Sequence, residues 1–269
     1  MKLTSIEDLS NPGAAAIEQQ AYEIGRHFDT FLDNYPDDSH ERAAGVHASE
    51  LASCKRQVVY TLLGTEKRGK VPVQWRKRFL VGTAIHTMLQ SDFHKMAVQS
   101  GGWMTFEPEV SVNETPLARE LYLTSSCDGV FTWFDRNGAP FIRMGLEAKS
   151  KAPDDFAKMK KPEEKHVKQA HLYMACLDLP LMWILYWNKG NQNMSPSLPP
   201  YMIRFDSTIW NEQRVRAQES VDHGIARTLP DREESIACSW CKYSWTCQPA
   251  TANKYQKPER RPFLPILRR

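Results

Sequence analysis

This chain of 269 residues has no long apolar run, and a membrane-spanning helix needs about 20 consecutive apolar residues. Its first residues, Met1-Lys2-Leu3-Thr4, lack the apolar core of a signal peptide. It has only six cysteines and no sign of secretion, so a disulfide framework is not expected. No internal repeat is visible. We therefore expect a cytoplasmic protein of a bacterial, archaeal or phage-infected cell, without a membrane partner.

Charge is distributed unevenly, although 35 basic and 32 acidic residues give a net charge of only +3. Residues 66–78 carry six basic side chains and one acidic one, and the stretches 149–168 and 251–269 are also basic. Basic stretches attract a phosphate backbone, although many lysine-rich segments are merely solvated. Tryptophans could stack on unpaired bases. The candidates are Trp75, Trp103, Trp240 and Trp245.

Two carboxylates and a lysine form the most informative pattern of the chain. The stretch 141–149 is typical of a strand, in which Glu147 and Lys149 lie on one face because side chains alternate. Asp128 lies in a second predicted strand, 121–131, and the turn-like residues 135–138 between them predict a hairpin. Both carboxylates would then meet at one edge of a sheet.

Two predicted helices bring further polar side chains. His86 could supply a third metal ligand, and Gly82 lies on the same helix face and would let another group approach closely. Gln169 and Tyr173 are also four residues apart and would project together toward a strand edge or a phosphate. Taken singly, a helical histidine or a Gln–Tyr pair is more often structural than functional.

The chemistry of this set is that of a metal-dependent phosphodiesterase. Carboxylate oxygens suit Mg²⁺ or Mn²⁺, and an imidazole shifts the preference toward Mn²⁺. Such a metal can polarise a scissile phosphate and lower the pKa of a bound water. Lys149 could hold the attacking water or stabilise charge on the phosphate oxygens. Each pair alone is commonplace, and it is their order and spacing that indicate this function.

Three of the cysteines form the run Cys238-x₂-Cys241-x₅-Cys247. A tetrahedral centre needs a fourth thiolate, and Cys54 is the candidate. Four thiolates suit either Zn²⁺ or an iron–sulfur cluster. The two remaining cysteines, Cys127 and Cys176, are expected to be small buried hydrophobic residues.

The ordered set from Gly82 to Tyr173 resembles the RecB-type branch of the PD-(D/E)xK nuclease superfamily, over roughly residues 46–250. The resemblance implies metal binding by His86, Asp128, Glu147 and the Ala148 carbonyl, and a catalytic role for Lys149. Gln169 and Tyr173 would be the substrate-side or site-supporting pair. Cys127 stands where the superfamily name places proline, and RecB-type members often lack that proline. These residues are His86, Asp128, Glu147, Ala148, Lys149, Gln169 and Tyr173.

The lone upstream cysteine followed by C-x₂-C-x₅-C resembles the iron–sulfur members of that branch. These are the CRISPR-associated exonuclease family and the AddB-type helicase–nuclease subunits. The resemblance implies a structural [4Fe-4S] cluster held by four cysteines, with Zn²⁺ as the alternative. Binding of the cluster or metal would close the long loop between the upstream cysteine and the other three cysteines. Binding would therefore be coupled to folding. The four are Cys54, Cys238, Cys241 and Cys247.

The predicted fold is α/β, with a mixed central sheet flanked by helices, as in restriction-endonuclease-like nucleases, and a small helical cluster region. We expect an N-terminal helical arm at 1–45, a nuclease domain at 46–250 and a basic, proline-rich tail at 251–269. Helices are predicted at 14–32, 49–63, 73–97 and 207–226, with a break at 35–38. Further strands are predicted at 181–187 and 201–205, with a loop at 188–200.

The expected function is hydrolysis of DNA phosphodiesters by an exonuclease that acts on single-stranded DNA or DNA ends. The Walker-type G-x₄-G-K-[ST] sequence is absent, so unwinding would need a helicase partner. A recombinase or adaptation-complex partner and an oligomeric state stay open. The main alternative is a non-catalytic DNA-binding or assembly protein that retains the nuclease fold. A third alternative is a zinc-stabilised nuclease without iron.

Overall fold

The computed structural model describes residues 26–27, 30–32, 45–68, 73–194, 201–235, 238 and 241–247. The chain divides into two compact units, of which the smaller comprises residues 1–42 and 70–81. The larger unit comprises residues 43–69 and 82–269 and contains the whole sheet. No helix within the described ranges is long and apolar enough to cross a membrane.

The described elements include seven helices and five strands. In chain order they are α1 (Ala48–Leu51), α2 (Lys55–Leu62), α3 (Val73–Gln99), β1 (Met104–Ser111), α4 (Pro116–Glu120), β2 (Ser126–Phe134), β3 (Pro140–Lys151), α5 (Pro153–Ala157), α6 (Glu164–Leu177), β4 (Leu181–Asn188), β5 (Tyr201–Arg204) and α7 (Ser207–Ala226).

The five strands form one mixed sheet in the order β1-β2-β3-β4-β5. Strands β3 and β4 are parallel, and the other neighbouring pairs are antiparallel. The crossover from β3 to β4 contains α6, as a parallel connection requires. The predicted α/β class, with a mixed sheet flanked by helices, is confirmed.

Turn and cap residues explain where several elements begin and end. The β2–β3 hairpin turns at Asp135, whose carboxylate accepts hydrogen bonds from the backbone N–H groups of Asn137 and Ala139 at 2.8 and 2.9 Å. Gly138 has φ = 78°, a conformation that favours glycine. The α7 helix begins after Asp206, which accepts from the Thr208 N–H at 2.8 Å.

Strand β3 separates two hydrophobic clusters because its side chains alternate. Met144, Leu146 and Ala148 pack with Phe131 and with residues of α3 such as Leu89. The opposite side of the sheet contributes Val130, Met182, Ile184 and Tyr186 to a larger cluster that includes residues of α1, α2, α6 and α7. The sequence pattern predicts an apolar side of β3 at Ile142, Met144, Leu146 and Ala148; the last three are in the buried cluster, and Ile142 is only half-buried.

Two predicted elements have different limits in the structure. The helix expected at 49–63 is two helices, because Cys54 is extended (φ −157°, ψ 120°) and stands at the N-cap of α2. The strand expected at 121–131 begins only at Ser126, because Pro116–Glu120 forms a short helix with Thr115 as its N-cap. Strand propensity at 121–125 is overridden by this local turn of helix.

Several predictions fall wholly or partly outside the described residues. In the predicted N-terminal helix, residues 26–27 and 30–32 are described and are helical. The break at 35–38, the tail at 251–269 and Trp240 lie outside the described ranges. The domain limits at 45/46 and 250/251 remain predictions. The other predicted helices and strands agree with α3, α6, α7, β4 and β5 to within a few residues.

Candidate active site

Asp128 and Glu147 lie on adjacent strands, as the predicted hairpin requires. Strand β2 carries Asp128 near its beginning, and β3 carries Glu147 and Lys149 near its end. The Asp128 Oδ2 atom accepts a hydrogen bond of 2.6 Å from the backbone N–H of Ala148. This bond holds the first carboxylate directly beside the second.

Glu147 is the most deeply buried ionisable group of the site, with 1% of its surface exposed. Lys149 Nζ forms an ion pair with Oε1, and neither oxygen accepts a hydrogen bond of ordinary geometry from another described residue. Burial raises the pKa of Glu147 to about 7, although the charge of Lys149 acts in the opposite direction. The negative charge of Asp128 raises it further.

His86 approaches the same carboxylates from α3. Its Nδ1 atom lies 3.6 Å from Asp128 Oδ1, and the hydrogen-bonding interaction with Asp128 raises the pKa of the imidazole. The structure therefore brings together the four side chains predicted from the sequence. Gly82 was expected to let another group approach closely. Ser150 does not approach that closely, because a methyl group added at Gly82 would lie 3.6 Å from Ser150 Oγ, an ordinary contact.

Gln169 and Tyr173 lie on α6 beneath the site. Gln169 Nε2 donates to the Tyr173 hydroxyl at 3.0 Å, and both side chains are buried. Burial raises the pKa of Tyr173 well above its usual value, and the negative charge of Glu147 adds to this effect. Of the two roles open at the sequence level, this burial favours support of the site over contact with substrate.

A second group of polar side chains continues the site along β3 and was not singled out from the sequence. Lys151 pairs with Glu163, and Lys165 Nζ lies 3.0 Å from Glu163 Oε2. The buried His166 ring makes a 2.8 Å hydrogen bond with the hydroxyl of Tyr186. Spacing could have revealed part of this group. Lys151 follows Lys149 by two residues on a strand, and His166 precedes Gln169 by three on a helix.

The donor set at the strand edge fits a hard divalent cation. His86 lies 3.6 Å from Asp128, and apart from the ion pair with Lys149 the buried Glu147 oxygens accept no hydrogen bond of ordinary geometry from a described residue. Across the described residues, no three His, Cys, Asp or Glu side chains are already grouped closely enough to hold a metal ion. Binding therefore needs side-chain movement, including release of Glu147 by Lys149.

The Cys54 segment packs against the segment that carries the other three cysteines of the run. The Lys55 N–H donates to Glu233 Oε2 at 2.8 Å, and Arg56 Nε donates to the Pro230 carbonyl at 2.7 Å. Tyr60 stacks on Tyr243 with ring centroids 5.1 Å apart. Two chain regions far apart in sequence are thereby joined, as a shared centre requires.

The cysteine sulfurs themselves are free thiols within this packed region. Burial is the main cause that raises the pKa values of Cys54 and Cys241, and nearby cysteines contribute. Arg56 Nη1 lies 3.9 Å from Cys247 Sγ, so a cationic donor faces this sulfur. The donor types fit zinc or an iron–sulfur cluster, although the described cysteines are not grouped at metal-binding distances.

Of the other two cysteines, Cys127 is buried as predicted, whereas Cys176 is only partly buried. Cys127 is fully buried in the larger hydrophobic cluster, with its Sγ 3.2 Å from the Gly129 carbonyl oxygen. Burial raises the pKa of its thiol. Cys176 is half-buried against the same cluster, and burial raises its pKa to about 11. Neither is a reactive thiolate at neutral pH.

The candidate aromatic contacts differ in exposure. Trp103 is 57% exposed and Trp75 is 41% exposed. The Arg68 guanidinium lies 4.1 Å from the centroid of the Trp245 ring. Trp245 Nε1 donates a hydrogen bond to the Glu66 carbonyl at 3.2 Å. Arg68 and Trp245 therefore help to fix residues 66–68 beside the cysteine segment, which is a structural role.

Comparison with known proteins gives a likeness of fold only. No protein-family model and no curated protein matches this sequence. A crystal structure of SSO0001 matches with a TM-score of 0.51 at 15% identity, over 84% of this chain and 96% of that one. The alkaline exonuclease LHK-Exo from Laribacter hongkongensis matches with a TM-score of 0.46 at 14% identity, over 69% of this chain and 90% of that one. The structure of LHK-Exo in complex with dAMP matches with a TM-score of 0.45 at 16% identity, over 68% of this chain and 89% of that one.

Proposed function

We propose that this chain is a metal-dependent DNA nuclease of the RecB-type PD-(D/E)xK branch, acting as an exonuclease on single-stranded DNA or DNA ends. One observation carries the proposal. The buried Glu147 carboxylate lies beside Asp128 at a sheet edge, with Lys149 and His86 converging on the pair. A buried, poorly satisfied carboxylate is costly to the fold, and perturbed groups of this kind concentrate at functional sites.

The proposed metal ligands are His86, Asp128, Glu147 and the Ala148 carbonyl, with Mg²⁺ or Mn²⁺ as the ion. When bound, such an ion polarises the scissile phosphate and lowers the pKa of a coordinated water. The hydrogen bond from Ala148 N–H keeps Asp128 oriented beside Glu147. Gln169 and Tyr173 fix the position of α6 under the site.

Lys149 has the central role among the groups that meet substrate. Its ammonium is paired with Glu147 in the absence of substrate, and 26% of its side chain is exposed. It can therefore turn from this carboxylate to the attacking water or to a phosphate oxygen. In the reaction, the water oxygen bonds to phosphorus and gives up one proton to solvent, the bond to the leaving sugar oxygen breaks, and that oxygen takes up a proton from solvent.

We further propose that Cys54, Cys238, Cys241 and Cys247 hold a structural [4Fe-4S] cluster, with Zn²⁺ as the alternative. The hydrogen bonds from residues 55–60 to Pro230, Glu233 and Thr246 support a shared centre. A chain with this site and no nucleotide-driven motor of its own would need a helicase, recombinase or adaptation-complex partner for unwinding.

The nuclease proposal is tested with end-labelled single- and double-stranded DNA in the presence of Mn²⁺. Wild-type protein is expected to degrade one or both substrates, and Asp128→Ala or Lys149→Ala to reduce the rate by at least roughly 10²-fold. Glu114→Ala is the matched control, because this carboxylate is highly exposed and forms a surface ion pair with Arg119. A folded Asp128→Ala protein with full activity would exclude the proposed role.

The cysteine site is tested separately by metal analysis of protein purified without oxygen. Cys54→Ser and Cys241→Ser are expected to lose bound metal and unfold at lower temperature. Cys176→Ser should keep the metal, because this side chain packs against the hydrophobic core. Iron with sulfide and a brown colour indicates a cluster, whereas stoichiometric zinc indicates the alternative. Wild-type protein that binds neither would refute both forms.

A further inference from the structure

A row of cationic side chains extends from the candidate active site along β3. Lys149 and Lys151 lie on the same face of the strand as Glu147, because alternate residues share a face. They are about 6.6 Å apart along the strand, at 3.3 Å per residue. Successive phosphates of an extended nucleic acid strand have a comparable spacing.

Lys151 and Lys165 form ion pairs with the same carboxylate. Both ammonium groups pair with Glu163, the residue that precedes α6. Lys151 is the less exposed of the two lysines, with 18% of its side chain accessible. Two positive charges therefore share one negative charge at this place.

Lys151 also feels the negative charge of Asp155, which acts against the lowering of its pKa by burial and by the charges of Lys165 and Lys149. The Tyr186 hydroxyl accepts from the Glu163 N–H at 3.0 Å and forms a hydrogen bond of 2.8 Å with His166 Nδ1. Burial together with the charge of Lys149 lowers the pKa of His166 to about 2, so the ring is neutral. Burial also lowers the pKa values of Lys151 and Lys165, and the charge of Lys149 contributes to both shifts. Lys149, Lys151 and Lys165 therefore lie close enough for their positive charges to act on one another.

We infer that Lys151 and Lys165 form a second phosphate-binding subsite that takes a non-scissile phosphate of the DNA strand next to the one cleaved. This inference rests on the proposed nuclease function and names a contact that the catalytic set does not include. Glu163 holds the two ammonium groups together in the free protein. An incoming phosphate takes over these donors, as lysines in nucleic-acid grooves commonly do.

Binding of a short, labelled single-stranded oligonucleotide in Ca²⁺ tests the subsite without cleavage. Lys151→Ala and Lys165→Ala should each weaken binding about tenfold. Each should also reduce the slope of log K against log salt by about 0.7, the value for one lost contact with a single strand. Lys95→Ala is the matched control, because Lys95 is an exposed lysine of α3 paired with Asp92 at 3.2 Å.

A variant that should tighten DNA binding distinguishes a DNA-binding role of the two lysines from a purely structural role. Glu163→Gln removes the carboxylate that competes for both lysines, so it should tighten DNA binding several-fold. If the lysines served only to hold Glu163, this variant would bind no better than wild type. Lys151→Arg keeps the charge and should retain most of the affinity.

A neutral methylphosphonate placed next to the scissile position identifies the phosphate concerned. It should weaken binding to wild-type protein and have little further effect on the Lys151→Ala/Lys165→Ala double variant, because the same contact cannot be lost twice. If wild-type protein binds and cleaves DNA but the double variant behaves as Lys95→Ala does, the subsite is refuted and the nuclease proposal stands. If wild-type protein neither binds nor cleaves DNA, both fail.

Discussion

Strand β3 carries two rows of side chains that differ in almost every physical respect. The apolar row, Met144, Leu146 and Ala148, is packed against the aromatic cluster under α3. The charged row, Glu147, Lys149 and Lys151, has a fully buried carboxylate with few donors and two partly exposed lysines. One strand therefore both stabilises the fold and positions the candidate chemistry, with the tasks divided by the alternation of side chains.

The difference between the apolar row and the charged row indicates where the proposed function lowers the stability of the fold. Phe93 contacts Phe106, Phe131 and Trp183 at centroid distances of 5.2 to 5.9 Å, so the side of the apolar row is closely packed. The charged row keeps a carboxylate out of water beside another carboxylate. Such an arrangement lowers stability and is retained where binding or catalysis requires it.

The largest effect is expected from Glu147→Gln, which should reduce DNA cleavage by roughly 10²–10³-fold and yet stabilise the metal-free protein. At pH 8 the buried carboxylate is ionised, since its pKa is about 7, whereas glutamine is neutral. The stability difference should be about 1–2 kcal/mol at pH 8 and shrink toward pH 5. Urea unfolding in EDTA measures it, and a variant that is less stable at pH 8 would contradict this account.

Leu146→Ala tests the adjacent position on the other row. Removing this fully buried side chain should cost about 3 kcal/mol of unfolding free energy, since it leaves a cavity in the aromatic cluster. Cleavage per folded molecule should be nearly unchanged at low temperature. Denaturant unfolding combined with active-site-normalised rates measures both. A large loss of rate without loss of stability would break the proposed division between the rows.

His166 and Glu147 should respond to pH in opposite directions. The folded-state pKa of His166 is lowered from 6.5 to about 2, so the unfolded chain binds more protons and stability falls as pH drops below 6.5. This loss is at most about 1.4 kcal/mol per pH unit. The raised pKa of Glu147 makes stability rise as pH falls from about 7 to 4.5.

Removing the buried histidine isolates its part of the pH response. The His166→Gln variant keeps a hydrogen-bond acceptor for Tyr186 and removes the titrating ring. Its stability relative to wild type should increase steadily between pH 6.5 and 4.5. If the unfolding free energies of the two proteins change in parallel across that range, the ring is protonated in the folded protein without loss of stability, which contradicts this account.

The smallest effect is expected from Tyr173→Phe, which removes only the hydroxyl that accepts from Gln169. The stability cost should be about 1 kcal/mol, the usual value for one hydrogen bond. Cleavage should slow without a change in KM if the pair supports the site from below. A raised KM with unchanged kcat would instead place Tyr173 in contact with substrate.

The sequence pattern predicted that Asp128 and Glu147 lie side by side, because both residues lie on regular elements. The hairpin turn at 135–138 and the alternation along 141–149 were enough to place Asp128 beside Glu147. The helical spacing of Gln169 and Tyr173 was also correct, but burial of the pair depends on the packing of α6 and could not be derived from spacing. The break at Cys54 was missed, because nothing local in residues 49–63 interrupts a helical pattern.

The sequence by itself determined the order of the elements, the alternation that puts Glu147 and Lys149 on one face, and the cysteine spacing. These are local properties of chain geometry. Tertiary structure alone decided that Glu147 is buried with a pKa of about 7, that Lys151 and Lys165 meet at Glu163, and that residues 55–60 contact Glu233 and Thr246. Burial and charge proximity are sums over residues distant in sequence, and they exist only once the sheet and its helices are assembled.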